Sequence, residues 1–176
     1  MPNDCCNNIT ISHSNRKLMV QLEQSLQQDP PSFLATFLPC PDCTRCTKYW
    51  GTKWDVYDVQ IQQSLSGEDR RDAGNVVEAS SHWMSVSFYT AWSPPCNAYQ
   101  KLQDMGFLIE AQFMESGGDF CGYWNDGKYI IYENVHDNKD NVPEEFHSYF
   151  FDEEDEEADA DNANDTLSLT GDLMPY

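Results

Sequence analysis

The chain has 176 residues, 40% of them hydrophobic and 13% aromatic, enough for one core and an extension. Thirty acids against ten bases give a net charge of −20. That argues against direct binding to nucleic acid, which needs a basic footprint, and it suits a basic partner protein, divalent cations or solubility.

The charge is uneven. From Asp140 to Tyr176 there are 13 acids and no Lys or Arg, so 17 acids and all 10 bases lie before it. A mildly acidic globule with a strongly acidic tail is expected. The opening MPNDCCNNIT has neither a basic region nor an apolar run, so no secretion signal is expected. No apolar stretch reaches the length of a membrane span. Seven cysteines (5, 6, 40, 43, 46, 96 and 121) then read as reduced thiols or metal ligands of a cytosolic protein.

In chain order, NNITIS (7–12) alternates isoleucine with polar residues, as a strand does. His13, Ser14 and Asn15 offer caps for a helix carrying Leu18, Leu22 and Leu26 at a spacing of four, which stops before Asp29-Pro30-Pro31. Phe33 to Leu38 is a short apolar run, and 40–55 is compact and irregular. Tyr57, Val59 and Ile61 alternate as a strand. A polar loop spans 66–75. Met84, Val86, Phe88, Thr90 and Trp92 define one face of the next strand.

Ser93-Pro94-Pro95 reads as a capped helix start. The helix carries Tyr99, Leu102 and Met105, and Gly106 ends it. Ile109, Ala111 and Phe113 mark a further strand. Phe120–Trp124 and Lys128–Tyr132 flank Asn125-Asp126-Gly127, a hairpin signal. The order predicts an α+β fold: an antiparallel sheet of the ferredoxin-like kind, two helices on one face and an added hairpin. The expected organisation is a domain over 1–137, an aromatic and acidic connector over 138–151 that could pack through Phe146, Tyr149, Phe150 and Phe151, and a disordered acidic tail over 152–176.

Three stretches stand out: WGTKWD (50–55), TAWSPP (90–95) and ESGGDFCG (115–122). In the first, Gly51 permits a bend. If a helix continued, Trp50 and Trp54 would share one face. Two readings stay open. In one, the corner buries both indoles and Asp55 satisfies backbone donors. In the other, Lys53 and Asp55 belong to a pocket floored by indole rings. TAWSPP reads as a strand end and helix cap whose free donors could receive an anion. In ESGGDFCG, glycines around Asp119 imply tight backbone geometry, either at a ligand or in a turn.

Together with the opening MPN and the NNITIS strand, these three motifs resemble the YubB-type ferredoxin-like domain proteins of phages and plasmids, over roughly residues 1–132. The small acidic members found in marine cyanophages are the nearest in character. The resemblance implies a ferredoxin-like fold and a setting in the cytoplasm of a bacterial host. It implies little about mechanism, and it does not extend to the CPDCTRC run, the loop at 66–75 or the tail.

If the three motifs converge, the candidate binding residues are Trp50, Lys53, Trp54, Asp55, Trp92, Ser93, Glu115, Asp119 and Cys121. No nucleophile elbow, phosphate loop or His-Glu-x-x-His pattern is present, and no catalytic residue or cofactor is expected. Cys40, Cys43 and Cys46 have metal-like spacing but supply three thiolates where a tetrahedral zinc needs four ligands, so they read as free thiols, the alternative being a zinc site completed by Cys96, Cys121, Cys5, Cys6 or a histidine. The expected function is a small non-enzymatic phage protein that binds a basic surface on a host or phage protein, with mimicry of nucleic acid toward a defence or transcription protein as one form such binding could take. The alternatives are an enzyme or ligand binder with a Trp/Lys/Asp pocket, or an accessory virion protein.

Overall fold

The computed structural model describes residues 3–66, 82–115, 117, 119–125 and 127–151. The expectations for the loop beyond residue 66, for Gly118 and Asp126, for the Cys43 side chain and for the tail 152–176 lie outside the described residues. The chain divides into two units, Met1–Glu133 and Asn134–Tyr176.

The first unit is α+β. Its six strands form one antiparallel sheet: β1 (Asp4–His13), β2 (Tyr57–Ser66), β3 (His82–Ala91), β4 (Leu108–Glu115), β5 (Phe120–Asn125) and β6 (Lys128–Glu133). Their order across the sheet is β2-β3-β1-β4-β5-β6, with β1 between β3 and β4. The helices are α1 (Arg16–Leu26), α2 (Phe33–Phe37), α3 (Cys46–Trp50) and α4 (Cys96–Asp104).

Strand alternation sets the core. Cys5, Asn7, Ile9 and Ile11 point one way from β1, and Met84, Val86, Phe88 and Thr90 do the same from β3; all are buried. Met19, Leu22 and Leu26 of α1, Phe33, Leu34 and Phe37 of α2, Trp50 of α3 and Tyr99 and Leu102 of α4 complete the same core cluster with most of these strand residues. Burying each aliphatic side chain of this kind stabilises the fold by roughly 1.5–3 kcal/mol. The cap of α1 is Asn15, whose side chain accepts from the Lys17 N–H at 3.0 Å.

Three local expectations are corrected. The helix at the WGTKWD corner ends at Trp50, because Gly51 takes a left-handed conformation (φ +94°) and caps it. Trp50 and Trp54 therefore share no helical face. Trp92 is also left-handed (φ +67°) and turns out of the strand, so it leaves the inward face that Met84 to Thr90 follow. Helix α4 begins at Cys96 with Pro95 as its cap residue, and Ser93 does not cap it. The left-handed Gly106 (φ +96°) ends α4 as expected, but Met105 is exposed.

In the second unit, short 3₁₀ turns (Val135–Asp137, Lys139–Asn141 and Glu144–Phe146) lead into α5 (His147–Phe150). Rings organise it locally. His136 meets Phe150 edge-on at 5.7 Å, His147 meets Phe151 at 5.3 Å, and the Lys139 ammonium lies 5.1 Å from the Phe151 ring centre. Among the described residues no helix is long and apolar enough to cross a membrane.

Candidate functional site

The three motifs meet at one end of the sheet. WGTKWD and TAWSPP are sewn together directly. The Thr52 hydroxyl donates to the Ala91 carbonyl at 3.2 Å and accepts from the Ala91 N–H at 3.1 Å. The Ser93 hydroxyl donates to the Gly51 carbonyl at 2.6 Å. A side chain at position 51 would press on the backbone of Pro94, Cys96 and Asn97 at 3.1–3.3 Å, so close approach as well as φ requires glycine there. From α4, the Asn97 side chain donates to the Lys48 carbonyl at 3.2 Å, and Lys101 donates to the Tyr49 carbonyl beneath its ammonium-on-ring contact with Tyr49.

ESGGDFCG joins through Asn3. The Asn3 carbonyl accepts from the Trp92 N–H at 2.9 Å, and the Asn3 side chain lies against Gly117. Glu115 is buried, and its carboxylate accepts from the Gly117 N–H at 3.0 Å. Asp119 sits in the turn with φ +58°. Cys121 is buried on β5 opposite Met114 and Tyr132.

Within this junction the candidate residues separate into two groups. Trp50 is 5% exposed, and its ring N–H donates to the Leu38 carbonyl at 2.8 Å. Asp55 is held by backbone donors. Its carboxylate accepts from the N–H groups of Leu34, Ala35 and Val56, each at 2.8 Å. It thereby caps α2 from outside, where the local residue Ser32 makes no side-chain cap. Burial pushes the Asp55 carboxyl above its usual range, with the three N–H bonds acting the other way. Replacing Asp55 by Ala leaves these donors unmet, and a loss of about 1–3 kcal/mol is expected in urea unfolding. Faster amide exchange at Leu34, Ala35 and Val56 in that variant identifies the cause. Unchanged exchange there would remove the capping role.

The second group is exposed. Trp54 and Trp92 are 39% and 47% accessible, with ring centres 6.4 Å apart and planes tilted by 38°. The Lys53 ammonium lies 5.1 Å from the Trp54 ring centre and 4.6 Å from that of Trp92. An ammonium over indole faces is attracted by their quadrupoles, by about 0.5–1 kcal/mol at an exposed site. This is a cation held by two tryptophans on the surface. The expectation of two buried indoles therefore holds for Trp50 and is overturned for Trp54, because the Gly51 turn sends the chain outward.

Beside this clamp, Ser93, Pro94, Cys96 and Asn97 form one wall of a groove of about 520 Å³ with Trp124 and Tyr129 at its other side. Burial raises the Cys96 thiol to about 12 and the Tyr129 hydroxyl to about 12, so both stay protonated near neutrality. A thiol held neutral is a poor nucleophile.

Cys40 donates to the Asp42 carbonyl at 3.1 Å, and the buried Cys46 thiol faces the same carbonyl at 3.9 Å. Among the described residues no three His, Cys, Asp or Glu side chains are grouped to hold a metal ion.

Sequence reading missed a buried polar network under the junction. The Asn7 side chain donates to Thr90 Oγ1 and to the Cys5 carbonyl, both at 2.9 Å, and accepts from the Tyr99 hydroxyl at 3.2 Å. Thr90 in turn donates to the Ser93 carbonyl at 2.9 Å. The signal was available, since Asn7 occupies an inward position in the period-two pattern of β1 and a buried amide must find partners.

Comparison with known proteins finds no matching family model, no matching curated protein and no matching solved structure.

Proposed function

We propose that this chain is a protein-binding module whose contact surface centres on Trp54, Trp92 and Lys53. The observation that carries the reading is the exposed indole pair itself. A folded domain that buries Trp50 in its core leaves two other tryptophans half in water and braces them with a lysine. Large aromatic residues held rigid at a surface are the commonest anchors of protein interfaces. The net charge of −20 favours encounter with a basic partner.

The pocket alternative loses one of its members, since Asp55 is occupied by the backbone of α2 and the corner. The strand order β2-β3-β1-β4 with helices between β1 and β2 and between β3 and β4 supports the ferredoxin-like assignment, with β5 and β6 as the added hairpin. The phage or plasmid setting, action in the host cytoplasm and mimicry of nucleic acid toward a defence or transcription protein belong to the same proposal. The motif resemblance and the acidic stretch from Asp140 onward support them.

The test is capture from bacterial host lysate by the full chain, by the Trp54→Ala/Trp92→Ala variant and by the chain lacking 152–176. The double variant is expected to stay folded by circular dichroism and to lose roughly tenfold or more of its partner, as for an interface anchor. Undiminished recovery by the folded double variant would refute the assignment of this surface. Competition by duplex DNA for the same partner separates mimicry from other binding.

A further inference from the structure

The two edges of the sheet are built differently. Strand β2 is irregular. Its pairing with β3 shifts register between Tyr57 and Gln60, between Ile61 and Gln63 and between Gln63 and Ser66, and Asp58 is left-handed (φ +49°). Bulges of this kind blunt an edge against further pairing. Strand β6, KYIIYE, is regular over its whole length against β5 and has no proline. Its three central apolar residues, Tyr129, Ile130 and Ile131, are 47%, 49% and 36% exposed, although they point alternately to both faces. A near-continuous apolar run is the pattern of a strand inside a sheet. Here, among the described residues, it stands at the end with no strand on its outer side.

We infer that β6 is a self-association edge, where two copies of the chain pair antiparallel about a two-fold axis at Ile131 and join their sheets into one. The hairpin geometry fixes which groups are free. Asn125 pairs with Lys128 across a two-residue loop, so 128, 130 and 132 turn their amides toward β5. The N–H and C=O groups of Tyr129, Ile131 and Glu133 then face outward. A two-fold axis normal to the sheet keeps the faces of both copies aligned, so residues of equal parity must meet.

Centring on Ile131 satisfies that condition and uses all three outward residues. Ile131 meets its own copy and Tyr129 meets Glu133, with Ile130 against Tyr132 on the opposite face. No like charges stand opposite one another, and the strand itself is neutral, with Lys128 at one end and Glu133 at the other. The excess negative charge of the chain lies outside this strand and opposes association through repulsion that salt screens.

Sedimentation velocity of the full chain from roughly 1 to 300 µM should show a concentration-dependent shift to twice the monomer mass. Because both copies are acidic, the dimer should tighten as NaCl rises from roughly 0.05 to 0.5 M, whereas binding of a basic partner weakens over the same range. Ile131→Pro removes an outward N–H and none that β5 uses, which is where an edge strand tolerates proline. Ile131→Lys keeps the backbone donor and sets a charge against its own copy. Both variants should remain folded and weaken dimerisation at least tenfold. A wild-type chain that stays monomeric throughout, or either folded variant dimerising as tightly as wild type, overturns the inference. If Ile131→Pro fails to fold, Ile131→Lys decides. These outcomes are independent of the indole clamp, because neither variant alters Trp54 or Trp92.

Discussion

Replacing Trp50 by Ala lowers the stability of the first unit by about 3–5 kcal/mol, as expected for a large aromatic truncated in a core. The same change at Trp54 lowers it by less than about 1 kcal/mol, the usual range for a surface position. The two residues lie four apart in one short motif, so sequence spacing does not separate them. Burial does, because Trp50 is 5% exposed and Trp54 39%. Trp50→Ala also orphans the Leu38 carbonyl that its ring N–H serves, which adds a hydrogen-bond loss to the cavity. For Trp54 the loss includes its tilted contact with Trp92 and the Lys53 ammonium, at a position already partly in water. Urea unfolding of both variants, followed by far-ultraviolet circular dichroism, is the measurement. Equal midpoints would show that the corner does not divide as described.

Replacing Gly122 by Ala is expected to cost about 2 kcal/mol or more, at the upper end of overpacking penalties. A Cβ there would collide with the Ile130 carbonyl of the neighbouring strand and lie 2.8 Å from Phe113 Cζ. Neither can move cheaply. The carbonyl is backbone, and the Phe113 ring is stacked on Tyr129 with centres 5.6 Å apart and planes within 19°. Glycine at 122 therefore lets an aromatic ring lie flat over a strand between β4 and β6. The glycine signal in ESGGDFCG reports packing at this position. Thermal unfolding of Gly122→Ala, with loss of the β5–β6 amide protection, checks the claim. A melting point within a degree or two of wild type would show that β6 can shift aside.

Much of the first unit was legible because period-two and helical apolar patterns are local. Ile9 and Ile11, Met84 to Phe88, and Ile109 to Phe113 marked the central strands, and residues flanking Asn125 and Gly127 marked the hairpin. The YIIY run of β6 was readable as a strand, but its place at the rim depended on how all six strands assemble. Composition by itself determined the acidic character of the chain.

The site was less legible, and the reasons are specific. WGTKWD was visible as unusual, but two left-handed residues, Gly51 and Trp92, decide which indoles face water. A backbone angle at one residue redirects everything after it, and glycine only permits that angle without enforcing it. Asp55 finds its donors in α2, 20 and 21 residues earlier, and Ser93 finds the Gly51 carbonyl 42 residues earlier. Such partners are chosen by the meeting of distant segments, which local pattern cannot encode. The sequence by itself determined which residue types could form a surface anchor or a core. Only the tertiary structure decided that Lys53, Trp54 and Trp92 form the exposed indole clamp while Trp50 and Asp55 hold the corner, because that assignment depends on long-range packing and on the chain reversals at Gly51 and Trp92.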